Sequence, residues 1–430
     1  MTTPHILEPH GRASVGCPRG RHAASGDLRP IPIYGTEFSR DPRPTFAQAR
    51  LMGPIAPVEI YPGVYGYMTT GYRSALFLLR NTPTLFAKDP RNWQAWREGQ
   101  IPADSPALMM MMYRENALWM DGPPHTRLRG SITDSLDLVD THALERTVAR
   151  IADNLIDNFA ARGYADLVED LARPLPMQVL MEMFGCPQEL GWRIVGALAM
   201  LFDASQDSAK ANAELEAACL TLARLRRREP AADMTSWLLN HRAQLTDQEM
   251  IQQILLVVGA GTEPSTNLIG NNHMRMITDG RLAGNVYNGV QSISEVLDET
   301  LWDDPPMRTY SPLYPCRPMA YEGITLHPGI PILVSFGAAN SDPDLLLGRR
   351  AGNRAHLAFS AGAHGCPAPD LARVLVETAI ERVLDRLPDL TLACRPDELT
   401  RRPGTFHSGW NALPVRFPPT LSSPMSGGFR

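Results

Sequence analysis

Residues 356 to 373 read His-Leu-Ala-Phe-Ser-Ala-Gly-Ala-His-Gly-Cys-Pro-Ala-Pro-Asp-Leu-Ala-Arg, a Gly-bearing loop that delivers Cys366 to the start of a helix. A helix N-terminus offers unpaired N–H groups and partial positive charge, which lower a thiol's pKa. Pro367 in the first turn loses no hydrogen bond there. Gly362 and Gly365 allow the backbone to pass close to a flat ligand. The same residues would also suit a buried structural cysteine at a helix start. A second pair, His125 and Arg129, lies four residues apart, on one helical face, where both can reach one carboxylate edge; two solvated surface groups would show the same spacing.

These groups need rigid supports, and the sequence supplies them. Thr246 and Glu249 form a capping box, after which Met250 to Gly270 is apolar enough for a long helix through the core. Its centre reads Gly259-Ala260-Gly261-Thr262-Glu263-Pro264-Ser265-Thr266. Pro264 lacks an N–H, so it frees the carbonyl of Ala260 and is expected to kink the helix there. After Cys366, Val376, Ile380, Val383, Leu384 and Leu387 recur on one buried helical face. Nearly all of Thr126 to Trp302 reads as helix. Val64 to Thr69 reads as a strand and Ala75 to Leu79 as helix. Ile324-Thr325-Leu326 and Ile332-Leu333-Val334 flank His327-Pro328-Gly329, turn chemistry that predicts a hairpin. The fold class is mainly α with minor β. Residues 1–29 and 420–430 read as tails around one domain spanning 30–419, with β-rich parts near 31–91 and 307–340.

With 430 residues, 44% of them hydrophobic, the chain can bury a large core. A net charge of -5 argues against nucleic acid as a partner, because phosphate-binding surfaces tilt a chain basic. The six cysteines show no C-x-x-C spacing, which argues against a disulfide framework or a structural zinc site and fits a reducing cytoplasm. No apolar run near the N-terminus suggests a signal or membrane anchor.

The Cys366 loop resembles the haem-binding loop of cytochromes P450: Phe359, Gly362, His364, Cys366, Leu371 and Ala372 stand at the family's F-x-x-G-x-H-x-C-x-G-x-x-L-A positions, and Ala368 replaces the second glycine. Trp119-Met120-Asp121-Gly122-Pro123-Pro124-His125-Thr126-Arg127-Leu128-Arg129 resembles the family's propionate-binding helix, and 259–266 its distal helix; in all, the likeness runs from about Ile31 to Phe417. It implies a haem b between a long distal helix and a proximal Cys-bearing helix. Cys366 is then the axial iron ligand, while His125, Arg129 and His364 serve the propionates. Ala260 and Gly261 would line the oxygen groove, and Glu263 would match the family's acid. Pro264 takes the place of the neighbouring alcohol, and Ser265 can substitute only if turned inward. Ser294 to Trp302 resembles the helix of the family's E-x-x-R pair, with Trp302 in place of the arginine and no evident partner in the loop from Asn340 to His356. Arg308 and Arg317 are both candidates for a third propionate ligand.

The resemblance further implies a monooxygenase or oxidase of an apolar or aromatic small molecule, fed by ferredoxin and ferredoxin reductase. Arg349, Arg350, Arg354 and Arg373, near the cysteine, could receive an acidic ferredoxin or form a solvated patch. The soft side chains of Met109 to Met112 suit either an adaptable substrate lid or ordinary packing. A peroxide-using or radical-coupling variant, and a haem-binding sensor with little turnover, are the alternatives.

Overall fold

The computed structural model describes residues 29–202, 208–345, 352–387 and 389–420. The tails expected at 1–29 and 420–430, apart from Arg29 and Thr420, lie outside those residues, as do Arg349 and Arg350.

The helical part is built on the segments whose apolar periodicity is strongest. Its main helices are α1 (Tyr72–Arg80), α2 (Gly122–Leu136), α3 (Thr141–Asp157), α4 (Pro174–Met183), α5 (Gln188–Phe202), α6 (Ser208–Arg228), α7 (Asp247–Thr278), α8 (Ile293–Asp303) and α9 (Pro369–Arg386). The Thr246 hydroxyl accepts from the Glu249 N–H and the Glu249 carboxylate accepts from the Thr246 N–H, closing the capping box that starts α7. α7 then runs 32 residues without a break, straight through Pro264. One face of its C-terminal half, with Leu268, Ile269 and Met276, packs into a core shared with Val148 and Ile151 of α3 and with Val376, Ile380 and Val383 of α9. Its N-terminal half packs Met250, Ile254 and Val258 against α2, α4, α5 and α6. α7 and α9 therefore share one core, and the loop before α9 is fixed relative to the middle of α7.

A six-stranded sheet stands beside the helices in the order β1 (Ile31–Pro32), β2 (Ile55–Tyr61), β3 (Val64–Thr69), β9 (Ile332–Ser335), β6 (Thr309–Pro315), β4 (Phe86–Ala87). The expected hairpin across His327-Pro328-Gly329 does not form. β8 (Ile324–Leu326) instead pairs back with β7 (Met319–Tyr321), while β9 pairs parallel with β3 and antiparallel with β6. The physical reason is burial. All four β9 residues are buried and need a strand on each side, whereas β8 is half exposed and suits a two-stranded ribbon. The tight turn belongs to Glu322 and Gly323, both with positive φ (42° and 86°). A small sheet of β5 (Tyr164–Asp166), β11 (Pro414–Arg416) and β10 (Thr391–Leu392), which periodicity did not reveal, ties the chain's end to α3. Among the described residues no helix is long and apolar enough to cross a membrane.

Candidate active site

Cys366 projects from a tight loop closed by its own backbone: the Cys366 N–H donates to Phe359 O at 2.8 Å and the Gly365 N–H to Gly362 O at 3.1 Å. Gly362 has φ +71°, and a Cβ there would run into the carbonyl oxygen of Leu79 at the end of α1. Its small size therefore serves contact with α1, and the nearest obstacle to a Cβ on Gly365 is Gly362 O of the same loop, so neither glycine is shown to clear a flat ligand. α9 begins at Pro369, with Ala368 as its cap, so Pro367 lies outside the helix rather than in its first turn. The thiol sits deep in the molecule and is nonetheless accessible, which means that it opens on internal space. Burial raises its pKa, against the lowering effects of the Ala368 N–H, 3.4 Å from the sulfur, and of Arg129. The expected lowering by a helix terminus is overruled because the helix starts too late and desolvation dominates. A thiolate here calls for a cation at the sulfur.

The predicted carboxylate-binding residues do converge beside this loop. His125 and His364 lie ring to ring, with centroids 4.1 Å apart and planes tilted by 38°. Arg129 donates to Gly365 O at 2.6 Å and to Thr133 Oγ1 at 3.2 Å. His364 Nε2 stands 3.5 Å from Asp121 Oδ1, too long for a good hydrogen bond. Nε2 of His125, Nε2 of His364 and Asp121 Oδ1 are buried and have no hydrogen-bond partner among the described residues. Burial, followed by the nearby His364 and Arg129, pushes His125 down to about 4, and burial also lowers Arg129. Three cation-forming side chains, two of them histidines with an unpartnered ring nitrogen, thus surround one carboxylate. Such a corner is short of negative charge, and a ligand with an anionic carboxylate edge fits it.

Ala260 is exposed although it lies mid-way along the largely buried α7. A methyl at Gly261 would come within 2.9 Å of Leu180 Cδ1, so this glycine permits close approach of α4. Ser265 is buried at 7% exposure, and on an unbroken helix it lies roughly 140° around from Ala260. α7 is helical on both sides of Pro264, so Ser265 keeps that helical position. Glu263 is ion-paired with Arg402 of the C-terminal loop, and Arg402 also donates to Asn267 Oδ1 at 3.0 Å.

Neither candidate third arginine reaches the corner. Arg308 is buried and committed to Phe38 O, Ser39 O and Ser408 Oγ, while Arg317 is exposed. Sequence reasoning missed Lys88, which is wholly buried next to Asp121; a lone lysine after a short apolar pair gave no signal.

The region around Trp302 also differs from expectation. Asp298 accepts from Arg373 of α9 at 2.5 Å and from Arg354 at 3.1 Å, and Ser294 Oγ accepts from both guanidinium groups. The loop before the cysteine therefore does supply a partner, Arg354, and its carboxylate is Asp298 rather than Glu299. Glu299 turns instead to Arg275 and Gln291. Trp302 donates its indole N–H to Asn353 O at 2.7 Å. Of the arginines expected as a docking patch, Arg354 and Arg373 are both consumed by Asp298.

No protein-family model matches the chain. Among curated proteins it is 31% identical over 334 residues to mycinamicin IV hydroxylase/epoxidase of Micromonospora griseorubida, covering 74% of this chain and 84% of that protein. It is 28% identical over 407 residues to cytochrome P450 monooxygenase PikC of Streptomyces venezuelae, covering 92% and 95%. Among solved structures it superposes on CYP154C4 from Streptomyces sp. W2061 with a TM-score of 0.81 and 27% identity, over 93% of this chain and all of that one. Sequence likeness and fold agree with the thiol, the cationic corner and the long core helix, and the chain belongs to the cytochrome P450 family of monooxygenases.

Proposed function

We propose that the chain is a haem-thiolate monooxygenase or oxidase of an apolar or aromatic small molecule, with haem b held by Cys366 as the iron's ligand. The observation that carries this reading is the convergence of an accessible deep thiol with Arg129 and with His125 and His364, whose buried Nε2 atoms lack partners. In this reading His125, His364 and Arg129 donate to the propionates, and the Cys366 backbone bond to Phe359 holds the sulfur in place. When bound, haem supplies the iron-centred oxidising chemistry. Glu263, fixed by Arg402, holds a negative charge near Ala260, where it can pass a proton to or from water. Electrons come from a ferredoxin and its reductase, and the free cysteines suit the cytoplasm.

Pro264 favours a second reading, a peroxide-using or radical-coupling enzyme, since no hydroxyl accompanies Glu263 on the face of Ala260. Trp302 gives little support to a haem-binding sensor without turnover, because Asp298, Arg354 and Arg373 tie the same elements together. The test is the spectrum of the reduced protein with carbon monoxide, for wild type and Cys366→Ser. A thiolate-type Soret band that the substitution removes is expected; absence of haem, or a band that survives it, refutes the proposal. Turnover with a ferredoxin system and oxygen, compared with turnover with peroxide alone, separates the two enzyme readings.

A further inference from the structure

A series of aromatic rings in mutual contact runs outward from the His125–His364 corner. Trp119 stands two residues before Asp121, whose Oδ1 faces His364. Its ring centre is 6.4 Å from that of Tyr310 on β6, and Tyr310 is 5.8 Å from Phe406. Phe406 is 6.0 Å from Tyr61, which is 6.2 Å from Tyr34, so every step has the spacing of rings that touch. The backbone fixes this order. β1 and β2 pair in parallel with Pro32 opposite Glu59, so two residues further on Tyr34 and Tyr61 meet on one face and stack at 15°. Phe406 is held between β2 and β6: its carbonyl accepts from the Arg308 N–H at 2.7 Å, and the neighbouring Thr405 hydroxyl donates to Ile60 O at 2.7 Å. The two ends differ chemically. The Tyr310 hydroxyl donates to a main-chain carbonyl, Met110 O, at 3.2 Å, whereas the hydroxyl of the half-buried Tyr34 donates to the Glu59 carboxylate at 3.1 Å. A carboxylate can take a phenol's proton as the phenol is oxidised, and a carbonyl is too weak a base to do so.

We propose that Trp119, Tyr310, Phe406, Tyr61 and Tyr34 form an electron path that delivers one-electron oxidising equivalents from the haem to Tyr34, where a small neutral phenol is oxidised. The inference rests on the haem reading above. The oxidant is hydrogen peroxide. Each equivalent draws one electron inward from Trp119 and then from Tyr310, Tyr61 and Tyr34 in turn, Phe406 serving as the contact between Tyr310 and Tyr61. The Tyr34 phenol then gives its proton to Glu59 and becomes a neutral phenoxyl, which the external phenol restores by giving up one electron and one proton. Two such cycles reduce one peroxide to two waters and turn two phenols into phenoxyl radicals, so electrons and protons balance. With Lys88 Nζ 4.9 Å from the Trp119 ring centre, the inner end is a poor place for positive charge to rest. Glu59 favours the outer end and also repels anionic reductants, which selects a neutral phenol.

The test treats ferric holoprotein, without other substrate, with hydrogen peroxide and freezes it within milliseconds for electron paramagnetic resonance, with and without ring-deuterated tyrosine. A tyrosyl signal narrowed by the label is expected, several-fold weaker in Tyr34→Phe and in Tyr310→Phe. A nitroso spin trap should mark Tyr34 in wild type, as located by mass spectrometry. Peroxide-driven oxidation of guaiacol should fall several-fold in Tyr34→Phe, while its ferrous carbon monoxide band and urea midpoint match wild type. A merely structural hydroxyl would leave the radical yield unmoved. Wild-type radical yield in Tyr34→Phe, or a trap adduct in wild type that is absent from Tyr34, overturns the proposal. If Tyr310→Phe does not fold, the adduct map of wild type decides. Wild type that takes up no haem refutes the haem reading itself, and is told apart from a protein that binds haem and forms no radical at Tyr34.

Discussion

Replacing Asp298 by Asn tests whether the cysteine helix is held by a buried ion cluster. The Asp298 side chain is 5% exposed and Arg373 is 9% exposed, so their pair at 2.5 Å is desolvated, whereas Arg354 is 60% exposed. Removing one partner of a buried pair costs about 3–5 kcal/mol, mainly because the other charge is left unpaired. Arg373 retains Glu377 at 3.2 Å and the Ser294 carbonyl at 3.3 Å, which places Asp298→Asn near the lower end, about 3 kcal/mol. Arg354→Ala should cost less than about 1 kcal/mol, as exposed pairs do. The assay is urea unfolding of each holoprotein followed by both tryptophan fluorescence and the Soret band. Asp298→Asn should also lower haem content, because α9 and the loop carrying Cys366 are no longer tied to α8. In the double variant with Arg373→Met, part of the loss should return, since no buried charge is stranded. Equal effects of Asp298→Asn and Arg354→Ala, or no return in the double variant, would refute the reasoning.

Three further outcomes follow from the same geometry. Gly362→Ala must fit a left-handed φ and a clash with Leu79 O, and should lose several-fold more stability than Gly289→Ala, which has φ +66° but open space and should cost about 1 kcal/mol; denaturation midpoints of the two variants check this. Burial lowers His273 and His356 to about 4 and His407 to about 3, so the unfolded chain binds protons first as pH falls below 6.5. Stability is complete above that pH and should fall by about 1.4 kcal/mol per pH unit for each histidine down toward pH 4, and a urea midpoint that stays flat from pH 7 to 5 contradicts it. Arg402→Met should leave the carbon monoxide band of the ferrous protein unchanged while altering the pH profile of turnover, because the substitution frees Glu263 without touching the Cys366 loop.

What the sequence made legible were features encoded locally. The capping box of α7, the helical spacing of Val376, Ile380 and Val383, and the four-residue interval between His125 and Arg129 all depend on neighbours along the chain, and each has its counterpart in the structure. What stayed hidden depends on distant partners. Nothing near Lys88 announces burial between Trp119 and Tyr310, and nothing near Glu263 points to Arg402, 139 positions away. Nothing near Gly261 in the sequence announces that Leu180 of α4 packs against it. The hairpin was misassigned for the same reason, since the strands that claim β9 come from residues 64–69 and 309–315.

Trp302 illustrates how a missing motif residue can be a consequence rather than a loss. Positions 298 and 302 are four apart, so they lie on one face of α8. An arginine at 302 would compete for Asp298, which already accepts from Arg354 and Arg373. Glu299 could not take the third cation, because it is engaged by Arg275 and Gln291. A buried guanidinium at 302 would therefore lack a carboxylate, while the indole fills the site, at 4% exposure, and spends its single donor on Asn353 O. That bond also holds the chain next to Arg354, so the indole helps to deliver the arginine that Asp298 needs. Trp302→Arg should consequently destabilise the protein by about 3 kcal/mol rather than restore an ion pair. Removing a competing guanidinium with Arg354→Ala should recover part of that loss in the double variant. A Trp302→Arg protein as stable as wild type would mean that Asp298 is not saturated and that this account of the cluster is wrong.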